Sequence, residues 1–183
     1  GQITDGALLT SNIPTTNAAV TRNADTISET GASSLIGQTE GVIFIDCDYV
    51  RTDPSVGARK LISLNDGSSN NLIDIFIPSG LNTMFARLRA ASGTFGSIST
   101  SAVPTGRIKL AYAYKVNDYA LFINGSLIQA VTTGGAFTFS AAPSVIQIGD
   151  GEAAGDEFGG RIHQTALFKT RLTNAQLITL TTL

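Results

Sequence analysis

Short runs of alternating apolar and polar residues recur along the chain, and a period of two marks strands with one buried face. In residues 41–50, Ile43, Ile45, Cys47 and Tyr49 share one face, while Asp46 and Asp48 share the other. The apolar runs at residues 61–64 and 72–77 flank a polar hairpin loop, Asn65-Asp66-Gly67-Ser68-Ser69-Asn70-Asn71. Within the second run Ile73, Ile75 and Ile77 form the apolar face and Asp74 points away. Residues 84–90 alternate again and set Arg87 and Arg89 opposite Met84, Ala86 and Leu88. A slip of one residue would reverse every side chain, so the pattern fixes which face each strand buries.

Residues 107–132 predict a meander of three tightly connected antiparallel strands. Ile108, Leu110, Tyr112, Tyr114 and Val116 line one face of a long strand, and Asn117-Asp118 turns the chain into residues 119–123. Asn124-Gly125 is the favoured type I′ pair, since both central residues need positive φ. Residues 126–131 supply the third strand. Shorter runs follow at residues 137–139, 145–148 and 161–168, with an acidic, glycine-rich loop at residues 149–160 between the last two. Only the tail predicts a helix, where Thr173 and Gln176 make a T-x-x-Q capping box before Leu177, Ile178 and Leu180. The expectation is all-β: a single domain over residues 1–183, a two-sheet antiparallel sandwich whose short C-terminal helix closes one end or edge.

Composition narrows the function. Charged residues make up 14% of the chain and the net charge is -2, with no basic run longer than Arg59-Lys60. Nucleic-acid binding would leave a stripe of Lys and Arg, so that class is set aside. No apolar stretch reaches the ~20 residues of a membrane-spanning helix. The lone Cys47 excludes an internal disulfide and reads as a small core hydrophobe.

Catalytic constellations fail in turn. His163 is the only histidine, no G-x-S-x-G elbow surrounds a serine, and the H-E-x-x-H and C-x-x-C spacings are absent. On simple alternation His163 shares a face with Arg161, Thr165 and Leu167. A retaining glycoside hydrolase needs carboxylates about 5 Å apart across the sugar. Asp46-Cys47-Asp48 offers a pair with no downstream partner and reads as a solvated face. The Gly149–Gly155 stretch has the wrong spacing for a dinucleotide loop. Asp150, Glu152, Asp156 and Glu157 crowd four carboxylates into one loop. These either stay solvated or gather around a hard cation, and calcium accepts such flexible oxygen sets. No other cofactor is indicated.

Ligand-binding candidates are polar. Asp66, Asn70 and Asn71 occupy one loop, Asn117 and Asp118 another, and Arg87 with Arg89 lines a strand face. The two arginines could instead pair with Asp46, Asp48 or Asp74. The chain has no Trp, and Tyr112 and Tyr114 fall on the core face, so aromatic sugar platforms are scarce.

The segment KLAYAYKVNDYALFINGSLIQ at residues 109–129, then VIQIG, then FGGRIHQTALFKTRLTNAQL at residues 158–177 resembles the C-terminal half of concanavalin A-like, laminin-G-like jelly rolls. SNIPTTNAAVTRNADTISETG at residues 11–31, with LIGQTEGVIFID at residues 35–46, resembles a signature of such domains in tailed-phage tail fibres and related virion proteins. The resemblance implies a curved two-sheet jelly roll and a non-catalytic receptor-binding module. Its ligand would be a host cell-surface polysaccharide or glycan, bound through loops or the concave sheet, and its carrier a homotrimeric virion fibre. It also strengthens the calcium expectation, since related laminin-G-like and pentraxin-like domains use loop calcium. Two alternatives remain: a structural virion domain with no glycan ligand, and a carbohydrate-binding module of a polysaccharide-degrading enzyme.

Overall fold

The computed structural model describes residues 27–49, 58–80, 82–152 and 157–183. Its strands are β1 (Ile27–Glu29), β2 (Glu40–Tyr49), β3 (Arg59–Asn65), β4 (Leu72–Ile77), β5 (Phe85–Ala90), β6 (Gly93–Ser99), β7 (Gly106–Lys115), β8 (Tyr119–Ile123), β9 (Ser126–Val131), β10 (Val145–Ile148) and β11 (Arg161–Phe168), followed by helix α1 (Asn174–Thr181). They form a six-stranded sheet in the order β1-β10-β3-β4-β5-β6 and a five-stranded sheet in the order β11-β2-β7-β8-β9. Every pairing within the sheets is antiparallel, so the chain is the expected all-β sandwich with one short C-terminal helix.

The alternating residues meet where the pattern requires. Ile43, Ile45, Cys47 and Tyr49 of β2, Ile73, Ile75 and Ile77 of β4, and Ile108, Leu110, Tyr112 and Tyr114 of β7 join one buried cluster between the sheets. Burial pushes the Cys47 thiol pKa up to about 12, with Asp46 and Asp48 adding to the rise. All four tyrosines are buried. Tyr112 donates its hydroxyl to the Gly96 carbonyl at 2.9 Å, and Tyr114 donates to that of Gly37 at 2.8 Å. Gly96 has a φ of 53° and lies against the Tyr119 ring so closely that a Cβ would fall 2.0 Å from it. At the meander's second turn, Asn124 and Gly125 have φ values of 49° and 75°, as a type I′ turn demands.

Several expectations change. The strand face ends at Lys115, so Val116 lies beyond it and is 40% exposed. Residues 137–139 form no strand; Phe137 instead packs its ring against Phe95, Tyr119 and Phe139, plugging the sandwich edge. The β3–β4 register shifts between Lys60 and Ile62, which turns both Leu61 and Ile62 into the core. A second shift, between Ile162 and Gln164 of β11, makes His163 the extra residue. Ile162 and Leu167 therefore share the core face, and the simple alternation that grouped His163 with Leu167 is broken there. The helix does not close an end or edge. It lies on the outer face of the five-stranded sheet, where Leu177 packs with Val42, Phe44, Ala111, Ala113, Ala120 and Phe122. Its capping box forms as expected, with Gln176 N donating to Thr173 Oγ1 and Thr173 N to Gln176 Oε1.

Candidate functional site

The two sheets differ in what covers their outer faces. The five-stranded sheet is capped by α1, while the outer face of the six-stranded sheet collects polar and aromatic side chains. Its parity follows from the core: if Ile73, Ile75 and Ile77 point inward, then Asp74 and Phe76 point outward, as do Phe85, Arg87 and Arg89 beside Met84, Ala86 and Leu88. The bulge in β3 keeps Lys60 and Ser63 on this same outer side, opposite Phe76 and Asp74.

Asp74 faces away from the core, as its alternation predicts, yet is completely buried. Arg87 clamps it in a bidentate pair, Nε to Oδ1 at 2.9 Å and Nη2 to Oδ2 at 3.0 Å, and Lys60 Nζ lies 3.4 Å from Oδ2. Burial pushes the Asp74 carboxyl pKa up against the pull of these two cations. The Arg87 guanidinium also sits 4.4 Å above the Phe76 ring, which stacks on Phe85 with centroids 5.7 Å apart. Both rings are partly exposed; on β6, Ser99 lies opposite Phe85 and Thr94 opposite Arg89. Arg89 donates to the Ser92 carbonyl at 3.4 Å, and its buried Nε has no hydrogen-bond partner among the described residues. Together these make a partly apolar platform edged by guanidinium and hydroxyl groups, a composition suited to sugar rings.

The predicted loop residues come together at one end of the sandwich, but their polar atoms mostly serve the fold. Asn71 is buried; its side-chain oxygen accepts from Ala91 N and Ser140 N, and its amide donates to Asp66 and Ser140. Asp66 also accepts from Ser68, and Asn70 from the Ser92 hydroxyl. Asn117, at a φ of 56°, accepts from Gly135 N, and Asp118 pairs with Arg171 at 2.8 Å. Asn71 and Asn117 thus brace the same connection between β9 and β10.

Among the described residues of the acidic loop the carboxylates have separate partners. Glu152 accepts from Lys60 Nζ at 2.5 Å and from Ser63 Oγ at 3.2 Å, so an ammonium stands where a cation would. Asp150 accepts from Gly151 N, and Glu157 bridges to Lys60 through the backbone. Asp156 lies outside the described residues, among which no group of three His, Cys, Asp or Glu could hold a metal ion. The donors described here therefore do not fit calcium. On the other sheet Asp46 is also buried rather than solvated. Arg107 grips it at 3.0 and 2.8 Å, holding its carboxyl pKa below the ordinary value, while His163 Nε2 lies 2.9 Å from Asp48.

Sequence reasoning named the two arginines, with Asp74 among their possible partners, but passed over Lys60, Ser63, Phe76 and Phe85 as site residues. Parity with Asp74 and Arg87 was the available signal for the two phenylalanines.

This architecture, two antiparallel sheets with a platform on one outer face, defines a lectin-like sandwich. The family model of the concanavalin A-like lectin/glucanases superfamily matches residues 49–178, more than half of the chain, and the chain belongs to that family. No curated protein matches it by sequence. Among solved structures it is similar to the Ruminococcus gnavus IT-sialidase CBM40 bound to α2,3 sialyllactose, at 18% identity and a TM-score of 0.66 over 87% of this chain and 97% of that one. It is similar also to botulinum neurotoxin type C, which depends on interaction with two ganglioside molecules to get into cells. That match has 13% identity and a TM-score of 0.65, covering 85% of this chain and 39% of that one. A heptameric SAP-like pentraxin from Limulus polyphemus matches at 14% identity and a TM-score of 0.57, over 79% and 70% of the two chains. At these identities the likeness shows the fold.

Proposed function

We propose that the chain is a non-catalytic recognition module that binds a glycan across the outer face of the six-stranded sheet. The observation that carries this reading is the Phe76–Phe85 stack with Arg87 laid over it and Arg89 beside it. Apolar ring faces take the C–H faces of a sugar, and the guanidinium and hydroxyl groups at the rim fix its orientation. Support comes from structural neighbours that bind sialyllactose or gangliosides. Non-catalytic action is supported by the side chains that chemistry would need: Cys47 is buried with its thiol pKa raised, and Asp46 is neutralised by Arg107.

The N-terminal signature at residues 11–31 supports a place on a phage-like tail fibre or other virion protein, with a host cell-surface glycan as ligand. Shallow binding there gains strength from several copies held at once, a homotrimer in this reading. A second reading, an accessory module of a polysaccharide-degrading enzyme, is favoured by the likeness to the sialidase CBM40 over nearly all of that chain.

A glycan array followed by titration calorimetry tests the proposal. Phe76→Ala and Phe85→Ala are expected to weaken the best glycan at least about tenfold, the loss of roughly 1.4 kcal/mol. Gln129→Ala, on the exposed edge strand β9, should leave affinity unchanged. Binding that survives both phenylalanine changes would move the site elsewhere. No binding to any glycan would favour a structural domain, and cleavage of any polysaccharide would overturn the non-catalytic reading.

A further inference from the structure

Arg87 and Arg89 leave the same strand on the same outer face, yet their guanidinium groups meet different partners. The Nε–Nη2 edge of Arg87 is filled by Asp74, at 2.9 and 3.0 Å. The same edge of Arg89 meets no carboxylate among the described residues. Its Nη2 donates to the neutral Ser92 carbonyl at 3.4 Å, and its buried Nε has no acceptor. Asp66, in the loop at this end of the sheet, is committed to Ser68 and Asn71 instead. A guanidinium keeps its charge at any working pH, and a buried N–H without an acceptor is destabilising. That edge matches the two oxygens of a planar carboxylate, so Arg89 gains from an incoming acid group what Arg87 already has from Asp74.

The turn beside Arg89 is held in place. Ala91-Ser92 joins β5 to β6 with φ values of 48° and 69°. Hairpin turns with positive φ at both central positions favour Asn-Gly, and Ala-Ser is strained there. The preceding loop supplies the hold. Ala91 N donates to Asn71 Oδ1, Ser92 N to the Asn70 carbonyl and Ser92 Oγ to Asn70 Oδ1, each at 3.0 Å. Thr94, exposed on β6, lies opposite Arg89 in the ladder. A guanidinium, a hydroxyl and a fastened polar turn therefore meet at the loop end of the face. Arg89 is four strand residues from Phe85, about 13 Å along the sheet. One sugar ring does not span that distance, so a ligand touching both is an oligosaccharide.

We infer that Arg89, Thr94 and the Ala91-Ser92 turn form an acid-binding subsite, and that the glycan is an oligosaccharide carrying a carboxylate on a ring beyond the one stacked on Phe76 and Phe85. This rests on the proposed glycan reading for the sugar and adds its chemical class. Arg87 stays with Asp74 and shapes the platform, while Arg89 takes the acid group and sets the preference for acidic over neutral chains.

The experiment is an array of sialylated and uronate-containing oligosaccharides, each printed beside its carboxyl-reduced form, with the best pair measured by calorimetry. The acidic member should bind roughly ten- to a hundredfold tighter than its reduced partner. Arg89→Gln should erase that difference with the melting temperature unchanged, and Arg89→Lys, which keeps the charge but not the fork, should restore part of it. Phe76→Ala should weaken both members of the pair. A sugar-free readout is the NMR signal of the Arg89 Nε–H group, assigned by its loss in Arg89→Gln. Sodium acetate should shift it, sodium chloride at equal ionic strength should not, and the Arg87 signal should stay still in both. An acetate response with no glycan bound would keep the subsite and sink the glycan reading. Glycan binding that depends on Phe76 but not on Arg89 or the ligand carboxylate would overturn the inference and leave the glycan reading intact, and an Arg89 signal indifferent to acetate would overturn it as well.

Discussion

The outer faces of the two sheets are built on opposite principles. On the five-stranded sheet the outward residues Val42, Phe44, Ala111, Ala113, Ala120 and Phe122 of β2, β7 and β8 are covered by α1 through Leu177. Small alanines let the helix approach, and the interface is a second, minor core. On the six-stranded sheet the corresponding layer is Lys60, Ser63, Asp74 and Arg87, equally deep in part but charged and mutually paired. Buried ion pairs contribute little net stability because desolvation offsets their attraction. The five-stranded sheet carries one such buried pair, Asp46 with Arg107, whereas on the six-stranded sheet the paired charges adjoin the Phe76–Phe85 stack, and the proposed ligand face draws on that combination.

The largest test of this contrast is Asp74→Ala. It removes the buried carboxylate that Arg87 clamps and should cost about 3–5 kcal/mol in urea unfolding. Replacing Lys60, Asp74 and Arg87 together by Met, Leu and Met should cost less, since it removes both members of the bidentate pair at once and leaves only the outermost group, Glu152, to solvent, while glycan binding is lost. A triple variant that unfolds as readily as Asp74→Ala would show that the network is structural after all. Next in size is Leu177→Ala on the opposite face. This should cost about 2 kcal/mol, the low end for a buried leucine, because a surface helix can settle into the gap. The same urea titration measures it, and glycan affinity should not change.

The smallest effect is in titration, and here one residue type reverses sign between the faces. The hydrogen bonds from Arg107 hold the Asp46 carboxyl pKa below 3.8 despite burial, whereas burial lifts that of Asp74 above 3.8. A depressed carboxyl contributes stability that is complete above the unfolded pKa and is lost as pH falls through the folded one. A raised one has the opposite slope, with stability greatest below the unfolded pKa and declining as pH rises through the folded value. Carboxyl-carbon NMR should therefore show Asp74 titrating at higher pH than Asp46, and Asp46→Asn should flatten the loss of stability toward acid pH.

Much of the scaffold was legible because period-two alternation is a local signal. Ile43 to Tyr49 and Ile73 to Ile77 reported their faces without help from any distant residue. The same signal failed at the bulges, where Leu61 and Ile62 both turn inward and His163 drops out of register, because an inserted residue leaves no mark on polarity alone. Helix α1 was legible from its capping box, but its seat was not: Phe44, Ala113 and Leu177 meet only after the sheet has formed. The candidate site was half visible. Arg87, Arg89 and Asp74 stood out by charge, and the pairing of Arg87 with Asp74 was among the alternatives. The meeting of Glu152 with Lys60 spans 92 residues of chain, and no spacing rule reaches that far. The bracing roles of Asp66, Asn71 and Asn117 were not legible, because their partners Ser140 and Gly135 and the turn itself share the same polar chemistry as ligand groups.

Cys47 has a practical consequence for anyone handling this protein. Its sulfur is fully enclosed between the sheets, and at pH 8 almost none of it is thiolate. A thiol-reactive dye can label it only during excursions that part the two sheets, so the labelling rate becomes a clock for those excursions. One native side chain, with no engineered probe, then reports how often the sandwich opens and how far a bound glycan slows it.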